Sequence, residues 1–182
     1  MYWIDPLSLP SIEGTVERFL FNAEGDADGF LLANGQQVHF PAHLSQALLK
    51  RVQPGDPVRV RGLKPRAADV LVGLSLTTQA GQTIEDSGSA PPHHPPHHAA
   101  RRKAAPKSKP VNFVGVVQRC LYAPRGEVCG ALLVDGCILR MHPHGNEKLL
   151  PILKAGSELT VWGDQIRVKG QRVIDIAFLG PV

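Results

Sequence analysis

Two similar stretches of predicted strands carry the cationic and aromatic residues that best suggest a chemical role for this sequence. Cations can follow the phosphates of a nucleic acid, and an aromatic ring can stack on its bases. The pattern therefore predicts binding of single-stranded nucleic acid, DNA or RNA, with little sequence preference and strong salt dependence. The alternative is an ordinary solvated face. The candidate residues in the strands and in the loops beside them are His39, Arg59, Arg61, Lys64, Arg66, Arg140, Trp162, Arg167 and Lys169.

A basic run between the two halves is the strongest electrostatic feature of the sequence. Residues 86–110 hold 5 Lys and Arg but 1 acidic residue, whereas residues 1–85 hold 7 Lys and Arg and 9 acidic residues. In a flexible chain such a run can contact phosphates and raise the effective concentration of neighbouring binding surfaces. A merely solubilising linker is the alternative. The basic residues of this run are Arg101, Arg102, Lys103, Lys107 and Lys109.

A histidine tract precedes the basic run. Imidazoles can bind Ni²⁺, Cu²⁺ or Zn²⁺. A tract without fixed geometry binds such ions weakly, so incidental metal binding is favoured over a metal function, and no cofactor is predicted. The possible metal ligands are His93, His94, His97 and His98.

The sequence contains no motif of a known catalytic centre. It has no P-loop, no G-x-S-x-G, no dinucleotide fingerprint and no H-E-x-x-H. The expected function is therefore non-enzymatic. A second hypothesis is a protein-interaction adaptor, in which the acidic first half contacts a protein partner.

The chain repeats itself with an offset of 101 residues. Over 49 positions from Gly14 to Gly62, 15 residues are identical without a gap, where average composition gives roughly 3. A period this long indicates duplication of a whole domain. The predicted organisation is an N-terminal arm (1–13), a first barrel (14–84), a disordered Pro- and His-rich basic linker (85–110) and a second barrel (111–182).

Each copy shows the same order of predicted elements. Alternating and apolar runs predict three strands, then Leu44, Leu48 and Val52 mark one face of a short helix, and two more strands follow. Asn34-Gly35 and Asp135-Gly136 predict type I′ hairpin turns. The irregular alternation of the first strand predicts a β-bulge. The expected fold is all-β, with two tandem five-stranded OB-like barrels, each with a helix between its third and fourth strands.

The sequence resembles bacterial OB-fold proteins of the nucleic-acid-binding type. The resemblance covers most of both copies and implies a binding face on the outer side of the second and third strands, flanked by the loops after the first and fourth. Met141-His142 replaces Phe40-Pro41 in the second copy. The residues that carry the resemblance are Gly14-x-Val16, Gly29-Phe30-Leu31-Leu32, Gly35, Val38-His39-Phe40-Pro41-x-His43 and Gly55-Asp56-x-Val58-x-Val60-x-Gly62.

The remaining features suggest a cytoplasmic setting. Cys120, Cys129 and Cys137 all lie in the second copy, which does not fit a disulfide framework. The N-terminus has no signal-peptide pattern, and no apolar run is long enough for a membrane helix. Because the predicted linker is disordered, we expect the two barrels to move independently unless their surfaces dock.

Overall fold

The computed structural model describes residues 8–66, 68–85, 106–142 and 146–182. These residues form two closed β-barrels, as predicted from the duplication. The His tract and the basic residues Arg101–Lys103 lie outside the described residues.

The first barrel contains strands β1 to β6 and helix α1. Its sheet has the order β3-β2-β1-β4-β5-β6, and a parallel β3–β5 pairing closes the barrel. This strand order is that of a five-stranded Greek-key barrel of the OB type, with β6 as an added edge strand. The bounds are β1 Ser11–Phe21, β2 Ala27–Leu32, β3 Gln37–His39, α1 Ser45–Arg51, β4 Pro57–Leu63, β5 Val70–Thr78 and β6 Thr83–Glu85.

The second barrel repeats this plan with strands β7 to β11. Its third and fifth strands, β9 and β11, again form the parallel pair that closes the barrel. Both barrels have a register shift in the first strand, between Val16 and Arg18 and between Val117 and Arg119, so the predicted bulge is confirmed. The bounds are β7 Lys109–Tyr122, β8 Val128–Leu133, β9 Ile138–Arg140, β10 Glu158–Val168 and β11 Gln171–Pro181.

The helix predicted in the second barrel does not form. In the first barrel a 3-10 turn at Ala42–Leu44 leads into α1, whose Leu48 is fully buried. In the second barrel only a 3-10 turn at Glu147–Leu149 is present. Pro151 stands where the first copy has Lys50, and a proline removes the N–H of a helical turn and clashes with the carbonyl four residues earlier.

The predicted type I′ turns are also wrong. Gly35 and Gly136 have positive φ, but Asn34 and Asp135 do not. The Gly35 N–H donates to Leu32 O and the Leu32 N–H to Gln36 O, which makes a three-residue loop with a glycine bulge. The two-residue turn with positive φ at both positions occurs instead at Lys169-Gly170, between the paired residues Val168 and Gln171.

The two barrels dock against each other. Arg18 donates to Gly136 O across the contact at 3.0 Å, and its repeat counterpart Arg119 donates to Gly35 O. Both arginines therefore have a structural role at this contact. Because equivalent groups bond reciprocally, the barrels meet through equivalent surfaces. Second-barrel residues that join the buried core cluster of the first are Leu121, Leu132, Ile138, Ile166 and Val173.

A buried polar network also crosses the contact. The Gln37 amide donates to Tyr122 O and accepts from Tyr122 N–H, both at 3.0 Å. Beside this pair, Arg140 Nε donates to Phe21 O at 2.9 Å, and Arg140 Nη2 lies 2.8 Å from Asp28 Oδ1. The Arg140 and Asp28 side chains are only 10% and 18% exposed. The barrels are therefore held by specific polar contacts as well as by apolar packing.

Candidate nucleic-acid interface

His39 and Arg140, predicted on outward faces of β3 and β9, lie between the barrels. They do point away from their own barrels, but the opposite barrel covers them, and Arg140 is buried. Burial lowers the pKa of His39, an effect that Asp28 opposes and Arg140 reinforces. The surroundings of His39 therefore favour its neutral imidazole. Their predicted binding roles would require a surface that the docking of the barrels covers.

The cations of the first barrel mostly have partners. Arg59 donates from Nε to Glu13 Oε1 at 2.8 Å, and both side chains are more than half exposed. Lys64 lies 2.8 Å from Asp69, and its hydrogen bond is the main reason that the pKa of Asp69 is lowered. Arg61 is half-buried and Arg66 is exposed. The outer face of β4 is thus largely neutralised within the protein.

An exposed aromatic pair lies on the outer face of the second barrel. Trp162 of β10 and Phe178 of β11 are directly paired in register, and they are 50% and 57% exposed. Their ring centroids are 6.0 Å apart at an interplanar angle of 61°. Two adjacent, exposed rings form a surface on which bases can stack. We call Trp162 and Phe178 the aromatic platform.

The same face of the first barrel has no such platform. By strand register, Arg61 and Ser75 occupy the places of Trp162 and Phe178. Glu13 corresponds to Val114, which is also exposed on the second barrel. The duplicated face is therefore charged in one copy and apolar and aromatic in the other.

Four cations surround the far end of the β10–β11 hairpin. Lys109 of β7 pairs in register with Gln165 of β10. Lys107 lies two residues before Lys109, and because β7 and β10 are antiparallel this brings it toward Arg167. Lys169 has φ of 47° at the turn and is exposed. None of the four has an ion pair within the part of the chain that the structure describes. We call Lys107, Lys109, Arg167 and Lys169 the cationic tip.

Two acids lie between the aromatic platform and the cationic tip. Asp164 and Asp175 are paired in register and exposed, two residues beyond Trp162 on β10. From Trp162 to Lys169 the strand spans about 23 Å at roughly 3.3 Å per residue. A bound strand would therefore meet stacking and phosphate contacts at separate points of one hairpin.

The sequence pattern does not identify Phe178 and Val114 as exposed residues of this face. The register of β10 and β11 shifts between Trp162 and Gly163, where Ala177 is the extra residue of β11. This bulge changes which face the following residues occupy, so strict alternation could not place Phe178. A Cβ on Gly163 would lie 2.2 Å from Asp175 O, so this glycine marks a close approach between the backbones of β10 and β11.

A cavity of about 410 Å³ lies between the barrels. His39, Asp28, Arg140 and Cys129 line it, beside Tyr122. In the four described ranges, no group of three or more His, Cys, Asp or Glu side chains is placed to hold a metal ion. The predicted metal ligands of the His tract lie outside the described residues and stay a prediction.

The buried thiol of Cys137 leads to a prediction. Burial raises its pKa to about 11 from 9.0, despite the opposing charges of Arg172 and Arg18. The thiolate population at pH 8 should thus be about 100-fold lower than in the unfolded chain. We expect iodoacetamide, followed by mass spectrometry, to label Cys137 at least 100-fold more slowly in the native protein than in urea. Equal rates would contradict this burial.

The raised pKa of Cys137 also makes the stability of the fold depend on pH. Because the folded pKa is raised, Cys137 favours the folded state fully below pH 9. This contribution is lost as the pH rises from about 9 to about 11.

Comparisons with known proteins find a distant similarity only. No protein-family model matches the chain, and no curated protein is similar to it. The chain is similar to crystal structures of the single-stranded DNA binding protein from Thermus aquaticus, in a deletion mutant and in the wild type. The deletion mutant is 14% identical, the match covers 94% of this chain and 92% of that chain, and the TM-score is 0.29. The wild type is 13% identical, the match covers 94% of this chain and 91% of that chain, and the TM-score is also 0.29. Because these TM-scores are low, the fold assignment depends on strand order alone.

No helix in the described ranges is long and apolar enough to cross a membrane.

Proposed function

We propose that this protein binds single-stranded nucleic acid without catalysing a reaction, through the β10–β11 hairpin of the second barrel. The observation that carries the proposal is the exposed Trp162–Phe178 pair on a hairpin whose tip is cationic. Bases stack on the aromatic platform, and the cationic tip contacts phosphates. The loop between the fourth and fifth strands is a usual nucleic-acid contact of OB barrels.

The two barrels have different roles in this proposal. The first barrel lacks the rings, and its Arg59 and Lys64 are engaged by Glu13 and Asp69. Residues 106–182 hold 10 Lys and Arg against 6 acids, whereas residues 8–85 hold 7 against 8. The first barrel therefore supports the second, and Arg101–Lys103, which precede Lys107 in the sequence, add phosphate contacts.

Fluorescence anisotropy of labelled oligo-dT and oligo-U tests the proposal. We expect the full chain to bind both polymers with micromolar or tighter affinity at low salt, and the affinity to fall linearly on a log–log plot against salt concentration. Absence of binding to both polymers at low salt would contradict the proposal.

Neutralising the cationic tip should reduce the salt dependence. We expect R167Q and K169N each to lower the log–log slope by about 0.7, the value for one phosphate contact on a single strand. Asparagine is chosen at position 169 because it tolerates positive φ. The matched control is R59Q, whose cation is already paired with Glu13 and which should leave the slope unchanged. A slope that falls equally in R59Q would contradict the assignment of the tip.

A further inference from the structure

The C-terminal part of β11 has an unpaired edge. Strand β10 runs along one side of β11 over its whole length, from Gln171 to Pro181. On the other side, β9 pairs only with Val173, Ile174 and Asp175. Within the described ranges, the backbone of residues 176–181 therefore has no neighbouring strand on that side.

The equivalent edge of the first barrel is covered. Strand β6 pairs antiparallel with β5 through Ser75–Glu85, Leu76–Ile84 and Thr77–Thr83. In both barrels this segment follows a bulge at the same place, beside Gly62 in β4 and Gly163 in β10. By register, Ser75, Leu76 and Thr77 correspond to Phe178, Leu179 and Gly180. The fold thus accepts an antiparallel strand at this edge.

The unpaired edge of β11 has little protection against pairing. Residues 176–182 contain no charged side chain, although natural edge strands commonly carry charges that prevent association. Phe178 is more than half exposed beside it, and Val182 is 72% exposed. Only Pro181, at the end of the strand, blocks a ladder hydrogen bond.

We propose that this edge pairs with the same edge of a second copy of the chain. A two-fold axis at Leu179 makes the two β11 strands antiparallel, which is the direction that β6 takes on β5. Because the edge carries no charge, the axis places no like charges opposite each other. Phe178 then lies opposite Gly180 of the second copy. Because the Phe178 ring of each copy lies over its own Gly180, the two rings come close to each other at the axis.

The pairing extends the outer sheet without covering its face. The aromatic platforms of the two copies lie on one continuous face, with neighbouring strands about 4.8 Å apart. Only a short strand segment is paired, so the contact is small compared with stable dimer interfaces and the dimer should be weak. Phe178 belongs both to this edge strand and to the aromatic platform, but the pairing uses the backbone of β11 and needs no nucleic acid, so it can be tested separately.

Sedimentation velocity of the full chain, without nucleic acid, tests the pairing from about 1 to about 300 µM protein. We expect a concentration-dependent monomer–dimer equilibrium, which F178K weakens at least tenfold because two lysines then face the axis. The matched control is V134K, a charge at an exposed apolar residue outside β11, which should leave the equilibrium unchanged. An equimolar mixture of F178K and F178E should restore the dimer.

Amide hydrogen exchange of the wild type provides a second measurement that needs no variant. Protection of residues 178–180 should rise with protein concentration, while that of residues 128–133 stays constant. A monomer over the whole range, a dimer unaffected by F178K, or protection independent of concentration would overturn the proposal.

Discussion

Replacing Arg140 by methionine is expected to lower the free energy of unfolding by about 3–5 kcal/mol, the usual cost of removing one partner from a buried ion pair. The substitution leaves the Asp28 carboxylate without its cation and Phe21 O without its donor, both at the contact between the barrels. Urea unfolding followed by circular dichroism measures the effect. For an m-value of about 2 kcal/mol/M, the midpoint should fall by about 1.5–2.5 M.

The control for this prediction is R59M. Arg59 also pairs with an acid, but both partners are exposed, so the loss should stay below about 1 kcal/mol. The double variant R140M/D28L removes both buried charges and should be more stable than R140M alone. If R140M and R59M cost the same, the buried network does not hold the barrels together.

Replacing Trp162 by alanine is expected to weaken oligo-dT binding by about 5- to 150-fold, which corresponds to about 1–3 kcal/mol for one stacked base. The salt slope should not change, because the indole contacts no phosphate. Trp162 is half exposed, and among the rings of the described residues it pairs only with Phe178, so the variant should fold normally. Anisotropy titrations at several salt concentrations measure both quantities together.

Two comparisons make the Trp162 result specific. W162F keeps an aromatic ring and should recover most of the affinity. V134A removes an exposed apolar side chain outside the hairpin and should have no effect. If W162A binds oligo-dT as tightly as the wild type, the aromatic platform does not contribute to binding.

The fold could be predicted well because its sequence signals are local and occur in both copies of the repeat. Glycines and alternating valines recur after 101 residues, so each copy supports the strand assignment of the other. The failures depend on single residues. Pro151 stops the second helix, and the bulge at Ala177 reverses the faces of β11.

The candidate site was only partly predictable. The sequence pattern predicts the strand and loop positions of Trp162, Arg167 and Lys169, and their binding role stays a prediction. The sequence could not show that Arg140 is buried, because its partners Asp28 and Phe21 are more than 110 residues away along the chain. Docking between barrels has no short-range signal, and it decides which cations remain exposed.

The most direct test of the central claim is the fluorescence of Trp162 during titration with oligo-dT. Trp3 is the other tryptophan of the sequence, so a W3F variant reports on Trp162 alone. We expect strong quenching that saturates together with the anisotropy, because a base stacks on the indole. Binding seen by anisotropy with unchanged Trp162 fluorescence would place the nucleic acid elsewhere and contradict the account.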